Sequence, residues 1–306
     1  MYDKFKTLLD ANNPMFVQAG EGKRSPNLIV STVVLFVLLL LAFGIVAAVL
    51  AIGVGEERSD ELMDGAFGLI VPFGLLVGLL WLWIRLYERR PFATVGLALR
   101  GALAKYLTGF ATALVMIAVL VGLMALAGGI EAGAPASYPV GGAAAGGVLL
   151  LLFCYAIQGG SEEVVFRGWF MQVVGRRHKP VVGVIASIVA FGAAHEPTTA
   201  LAIINLVLFG GFLALWALKD GSIWAICGWH SAWNWSLGNV FGLTVTREEP
   251  IGGVLFNLHA TGADWLTGGS YGPEASLMCT FVMMAGMVVL LLTVKRVSQP
   301  AESGDL

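Results

Sequence analysis

The chain has 306 residues, 58% of them hydrophobic and only 12% charged, with a mean hydropathy of +0.83 and a formal net charge of −2. A soluble domain carries about 25% charged residues, so this composition excludes a water-facing globule and points to the lipid bilayer as a partner. The near-neutral balance, with no block of five or more like charges, argues against nucleic acid.

Residues 1–27 form an N-terminal segment in which Tyr2, Phe5, Leu8 and Leu9 recur at roughly helical spacing among charges. That pattern fits a short interfacial helix and fits a solvated tail equally. A hydrocarbon core about 30 Å thick takes about 20 apolar residues at 1.5 Å each. The run from Leu28 to Val54 carries no charge, exceeds a signal-peptide core and has no small-residue cleavage site after it, so it predicts a retained, tilted helix. Seven further runs follow, at about 66–86, 106–127, 143–175, 181–196, 200–218, 222–242 and 276–294. The fold class is therefore all-α, a polytopic membrane bundle of about eight transmembrane helices. The loop from Leu243 to Ala275, rich in Gly with aromatics, is placed to cap the bundle. Residues 28–142 make the N-terminal transmembrane helices and 297–306 a tail. No internal repeat or linker divides the chain, and Cys154, Cys227 and Cys279 lie in apolar runs as small hydrophobes.

Basic residues test the parsing, because they concentrate in cytoplasmic connections. Lys4, Lys6, Lys23 and Arg24 precede the first run; Arg85, Arg89, Arg90, Arg100 and Lys105 follow the second; Arg176, Arg177 and Lys179 follow the fourth. Lys219 follows the sixth and Lys295 and Arg296 the eighth, against Arg58 and Arg247 on the opposite side. Both termini are thus read as cytoplasmic, which makes the chain a multi-pass integral membrane protein.

Arg167 fits neither set because it lies inside the fourth run, with Glu162 and Glu163. An ionised side chain near the bilayer centre costs at least about 2.5–3.5 kcal/mol, so each needs a partner and usually has a function. Glu163 and Arg167 are four apart and share a face, whereas Glu162 is turned away from both and is free to point elsewhere. Further along, His195 closes the fifth run at Phe191-Gly-Ala-Ala-His195, and His230 and Asn234 share a face at i and i+4. Counting 1.5 Å per residue from the basic boundary puts Glu162, His195, His230 and Asn234 at roughly 21, 24, 15 and 21 Å depth. Polar groups from three runs therefore meet at similar level. Interhelical hydrogen bonding alone, worth about 0.6–2 kcal/mol each, is the plainer use of such groups. Glu162, His195 and His230 plus a water also match a catalytic zinc site with one open position, which makes a divalent metal such as zinc a candidate cofactor.

Other signals are weaker. Cys227 is a packing residue, His178 a solvated loop residue, and His259 has no assigned role. His195-Glu196 does not begin a HExxH zinc motif, since Thr199 stands where the second His belongs, and Gly159-Gly160-Ser161 does not meet GxSxG.

The three clusters, in this order, resemble the signature of the CPBP family of intramembrane proteases, which includes the CAAX prenyl endopeptidases and many bacterial membrane proteins. The family pattern of EExxxR, FxxxH and HxxxN or HxxxD is matched by Glu162-Glu163 with Arg167, by Phe191 with His195, and by His230 with Asn234. The stretch Leu266–Glu274 also looks like a Gly-rich segment of bacterial members. The resemblance covers about 143–294 and makes 143–296 a CPBP-like catalytic core. It implies hydrolysis of peptide bonds in membrane-associated protein or peptide substrates, in a bacterial cytoplasmic membrane. It further implies Glu162 as the base that activates water, His195 as a group that positions water or binds metal, and His230 and Asn234 as oxyanion stabilisers. Glu163 and Arg167 would support them from behind. Two alternatives use the same residues: a non-catalytic binding or immunity-type membrane protein, and a transporter, against which stands the lack of a two-fold repeat of broken helices.

Overall fold

The computed structural model describes residues 2–51, 61–133 and 138–294. Arg58, Lys295, Arg296, the tail and the last residues of the first apolar run lie outside the described residues.

Two short helices, α1 (Tyr2–Leu8) and α2 (Pro14–Ala19), precede α3 (Leu28–Ala51), α4 (Glu61–Trp83) and α5 (Ala102–Leu126). After a short strand, β1 (Ile130–Ala132), come α6 (Ala145–Glu163), α7 (Gln172–Arg177), α8 (Pro180–Ala194), α9 (Ala200–Asp220) and α10 (Trp224–Trp235). Strand β2 (Leu258–Ala260) pairs antiparallel with β1, and α11 (Asp264–Thr267) leads to α12 (Leu277–Thr293). The molecule is mostly helical, as lipid requires, because a helix satisfies its own backbone where no water can. Among the described residues, five helices are long and apolar enough to cross a membrane: 28–51, 61–88, 102–126, 141–177 and 200–220; the apolar α8 and α12 are shorter. The chain is an integral membrane protein.

Three predicted runs are irregular. Residues Ile84–Glu88, Val164–Met171 and Ser236–Val240 continue α4, α6 and α10 as π-helix, a widened turn frequent at functional sites. The segment after Glu163 is therefore not the regular α-helix expected over 143–175.

Burial orders the helices. In the most apolar window of α3 only 17% is buried, against 61% for α9, so α3 faces lipid and α9 stands inside. Every residue from Ala225 to Asn234 of α10 is buried. Two glycines set how closely α5 and α10 cross: a Cβ on Gly109 would overlap the Ala225 carbonyl, and one on Gly228 the Tyr106 carbonyl. Small residues at crossings are how membrane helices gain packing energy without a hydrophobic drive.

The element ends are fixed by local chemistry. Thr199 caps α9 by accepting from Ala202 N at 3.1 Å, Gly221 ends it at φ 58°, and Ser276 caps α12 by accepting from Cys279 N at 3.0 Å. Lys179 is extended and Pro180 opens α8, with no N–H to leave unpaired.

At one end of the bundle, the basal end, Lys4 Nζ donates to the Leu291 and Leu292 carbonyls at 2.8 and 2.9 Å. Asn13 Nδ2 donates to Leu8 O and Leu218 O, Leu28 N donates to His178 Nε2, and Lys105 Nζ donates to Asp220 O. The N-terminal segment is thus neither a detached tail nor a merely interfacial helix, since Met15 and Phe16 are fully buried. Arg90, counted above among loop charges, is also buried: its Nε pairs with Glu88 at 2.7 Å and its Nη1 donates to Thr94 Oγ1 at 2.9 Å, while Trp83 and Trp169 donate to Glu88 Oε1. At the opposite end the 243–275 loop forms the expected cap, held by Asn239 Nδ2 on the Ile251 and Gly253 carbonyls and by Arg247 on Glu196 at 3.0 Å.

Candidate active site

Three elements bring the polar clusters together below the cap. The end of α6 supplies Glu162 and Glu163, the C-terminal end of α8 supplies His195, and the middle of α10 supplies His230 and Asn234. Glu162 Oε2 lies 3.7 Å from His195 Nε2 and 3.9 Å from His230 Nε2. That oxygen is buried and accepts no hydrogen bond among the described residues. A buried carboxylate oxygen facing two ring nitrogens, without a protein donor, calls for a water or another small donor.

The outer nitrogen of each ring is already committed. His195 Nδ1 lies 2.8 Å from the Phe191 carbonyl, which can only accept, so Nδ1 carries the proton. His230 Nδ1 lies 2.8 Å from Glu163 Oε1, again an acceptor. Both neutral rings therefore turn an Nε2 lone pair toward Glu162. Glu162 Oε2 and the two Nε2 atoms are thus three acceptors, one more than a single water has protons for.

Gln158, which no sequence pattern marked, orders the rest. Its Nε2 donates to Glu162 Oε1 at 2.5 Å, and its Oε1 accepts from Asn234 Nδ2 at 2.9 Å. Because the carboxylate accepts, Gln158 must present its nitrogen there and its oxygen to Asn234, which must then donate. Asn234 keeps a second N–H for the cavity.

Glu163 and Arg167 pair as expected, at 2.9 Å, with both side chains fully buried. The Arg167 guanidinium also sits 4.1 Å from the Phe191 ring centre, and that ring is 4.2 Å from the His195 ring. Phe191 is thus a spacer between a cation and an imidazole, which gives the Phe of FxxxH a physical role. Ser187 of α8 donates to the Phe166 carbonyl at 2.9 Å, docking α8 on the π-helical turn.

The cavity lined by Phe191, His195, His230 and Asn234 gives ≈ 20 Å³ to a water-sized sphere, enough for about one water. Its far wall comes from the cap. Glu274 accepts from Trp233 Nε1 at 3.0 Å and from Thr246 N and Oγ1 at 2.8 and 2.7 Å, and Asn205 Nδ2 holds its carbonyl at 2.8 Å. Tyr271 donates to the His195 carbonyl at 3.4 Å, and burial, reinforced by Glu274, pushes its phenol up so that it stays protonated. Glu274, Tyr271, Asn205 and Gln158 escaped the sequence reading, although Tyr271 and Glu274 lie within the Gly-rich segment.

A zinc ion bound tetrahedrally at about 2.0–2.1 Å would hold its ligand atoms about 3.3 Å apart. The gaps from Glu162 Oε2 to the two imidazoles are wider, and among the described residues no group of three or more His, Cys, Asp or Glu is spaced for a metal. As placed, the three side chains do not form that donor set.

Residues 143–236 match the family model described as type II CAAX prenyl endopeptidase, Rce1-like. This part of the chain is similar to that family. The match contains Glu162, Glu163, Arg167, His195, His230 and Asn234, and agrees with the CPBP resemblance of the three motifs. A comparison with curated proteins and one with solved structures each found no match. The matched segment ends before the cap and α12.

Proposed function

We propose that this chain is an intramembrane endopeptidase that hydrolyses peptide bonds of membrane-associated proteins or peptides with a water activated by Glu162. The observation that carries the reading is the unpartnered Glu162 Oε2 facing both imidazole Nε2 atoms, with its other oxygen tied through Gln158 to Asn234. In the proposed reaction Glu162 takes a proton from the water as its oxygen attacks the scissile carbonyl carbon. The carbonyl π electrons move to oxygen, where the free Asn234 N–H and a cationic His230 stabilise the charge. The oxyanion pair then re-forms the carbonyl as the C–N bond breaks, and the proton held by Glu162 passes to the leaving amine. His230 Nε2 serves as a donor only while the ring is charged, with Glu163 accepting at Nδ1. No step is routed through a metal.

The proposal retains eight spans, with α8, α10 and α12 completing the five long helices, and both termini on the cytoplasmic side of a bacterial membrane. Lys4 on the end of α12 supports a shared side. Glu162→Gln is the deciding variant: a protease loses cleavage of a membrane-anchored test substrate while insertion and thermal unfolding persist. Retained function in that variant would favour the non-catalytic reading.

A further inference from the structure

A groove of ≈ 580 Å³ lies between α5, α9 and α12, far larger on the same measure than the catalytic cavity. It is separated from that cavity by the packed rings of Phe212, Trp229, Phe209 and Trp233. Its lining is sorted by depth. Lys219 and Thr293 stand at the basal mouth, whereas Val119, Val282 and Phe212 form the far end. From Thr293 to Val282 is eleven residues of helix, about 16 Å, which equals roughly one leaflet of a 30 Å hydrocarbon core. A spanning peptide helix would need twice that length, so the groove fits an acyl chain.

Charge at the mouth selects the head group. Lys219 lines the groove, Lys4 sits on the Leu291 and Leu292 carbonyls beside Thr293, and Lys105 is held on the Asp220 carbonyl next to Lys219. Asp220 is the acidic neighbour, 3.4 Å from Lys219 Nζ, and accepts from Trp216 Nε1. Among the described side chains, three ammonium groups against one carboxylate leave the mouth positive. We infer that this groove binds one anionic phospholipid, its acyl chain between α5, α9 and α12 and its phosphate at Lys4 and Lys219. The site is independent of the catalytic proposal.

The full chain in nanodiscs of mixed phosphatidylglycerol and phosphatidylcholine, released into native mass spectrometry, tests this. The wild type is expected to retain one lipid enriched in phosphatidylglycerol, by about fivefold for each ammonium near the head group. Lys4→Ala with Lys219→Ala should remove the enrichment while the unfolding midpoint in detergent stays near wild type. Val289→Trp, a substitution at an exposed lining position, should remove the retained lipid. Glycerol phosphate and inorganic phosphate without an acyl chain should raise thermal stability little. Equal retention of both lipids, unchanged enrichment in the double Lys variant, a lipid still held by Val289→Trp, or equal stabilisation by free phosphate would each overturn the assignment.

Discussion

Gln158 donates to Glu162 at 2.5 Å from one turn earlier on the same helix, and in doing so fixes which end of its amide Asn234 sees. Two candidate catalytic groups on different helices are thereby oriented by one neutral side chain. Gln158→Leu should lower kcat by about 10–100-fold, the range seen when a supporting hydrogen bond to a reactive group is lost, with KM near wild type. A fall in KM-type affinity alone, with kcat intact, would contradict a positioning role.

Asn234→Ala should cost about 10²–10³ in kcat, as for removal of one oxyanion donor. Asn234→Asp brings a carboxylate against Gln158 and should fail to rescue, because an acceptor replaces the donor. Steady-state kinetics on a membrane-anchored peptide checks both.

Glu163→Ala leaves Arg167 charged, fully buried and without its 2.9 Å partner, and removes the acceptor from His230 Nδ1. Breaking such a pair costs about 3–5 kcal/mol, so the thermal midpoint should fall steeply. Replacing both residues with Leu should recover much of the stability, while activity stays low because His230 loses its orientation. A double variant as unstable as the single one would place the stabilisation elsewhere.

Gly228→Val should separate α10 from α5 and displace the helix that carries His230 and Asn234, since a Cβ there overlaps the Tyr106 carbonyl. Loss of several kcal/mol, read as poor recovery of folded protein from detergent, is the expected outcome. Gly160→Ala, where nothing lies within 4 Å of the added carbon, should be close to neutral and serves as the control.

Treatment with a strong chelator followed by assay should leave cleavage unchanged, because the imidazoles stand 3.7 and 3.9 Å from Glu162 Oε2, wider than a tetrahedral ion would hold them. Activity abolished by chelation and restored by zinc would require the three side chains to draw inward.

The helices were legible in the sequence because long apolar runs mark them directly, and five of them are long and apolar enough to cross a membrane among the described residues. Glu162, His195, His230 and Asn234 were legible because a charged or amide group in an apolar run is costly unless it meets others. What the residues conceal is partnership. Glu163 was matched to Arg167 by spacing, but its bond to His230 crosses between helices, and nothing local encodes it. Gln158 is one amide among leucines, and the π-helical turn after Glu163 follows from how α8 docks on Phe166. Arg90 read as a loop charge because its burial depends on Glu88 and the indoles of Trp83 and Trp169, which converge only in the folded chain.

The most direct measurement is a density map of the wild-type protein in a lipid nanodisc, at a resolution that separates a water from a metal ion. A single water-sized peak is expected at about 2.7–3.0 Å from Glu162 Oε2 and from one imidazole Nε2. A protein donor bonded to Glu162 Oε2, or the rings of His195 and His230 turned away from it, would contradict the proposed activation of water.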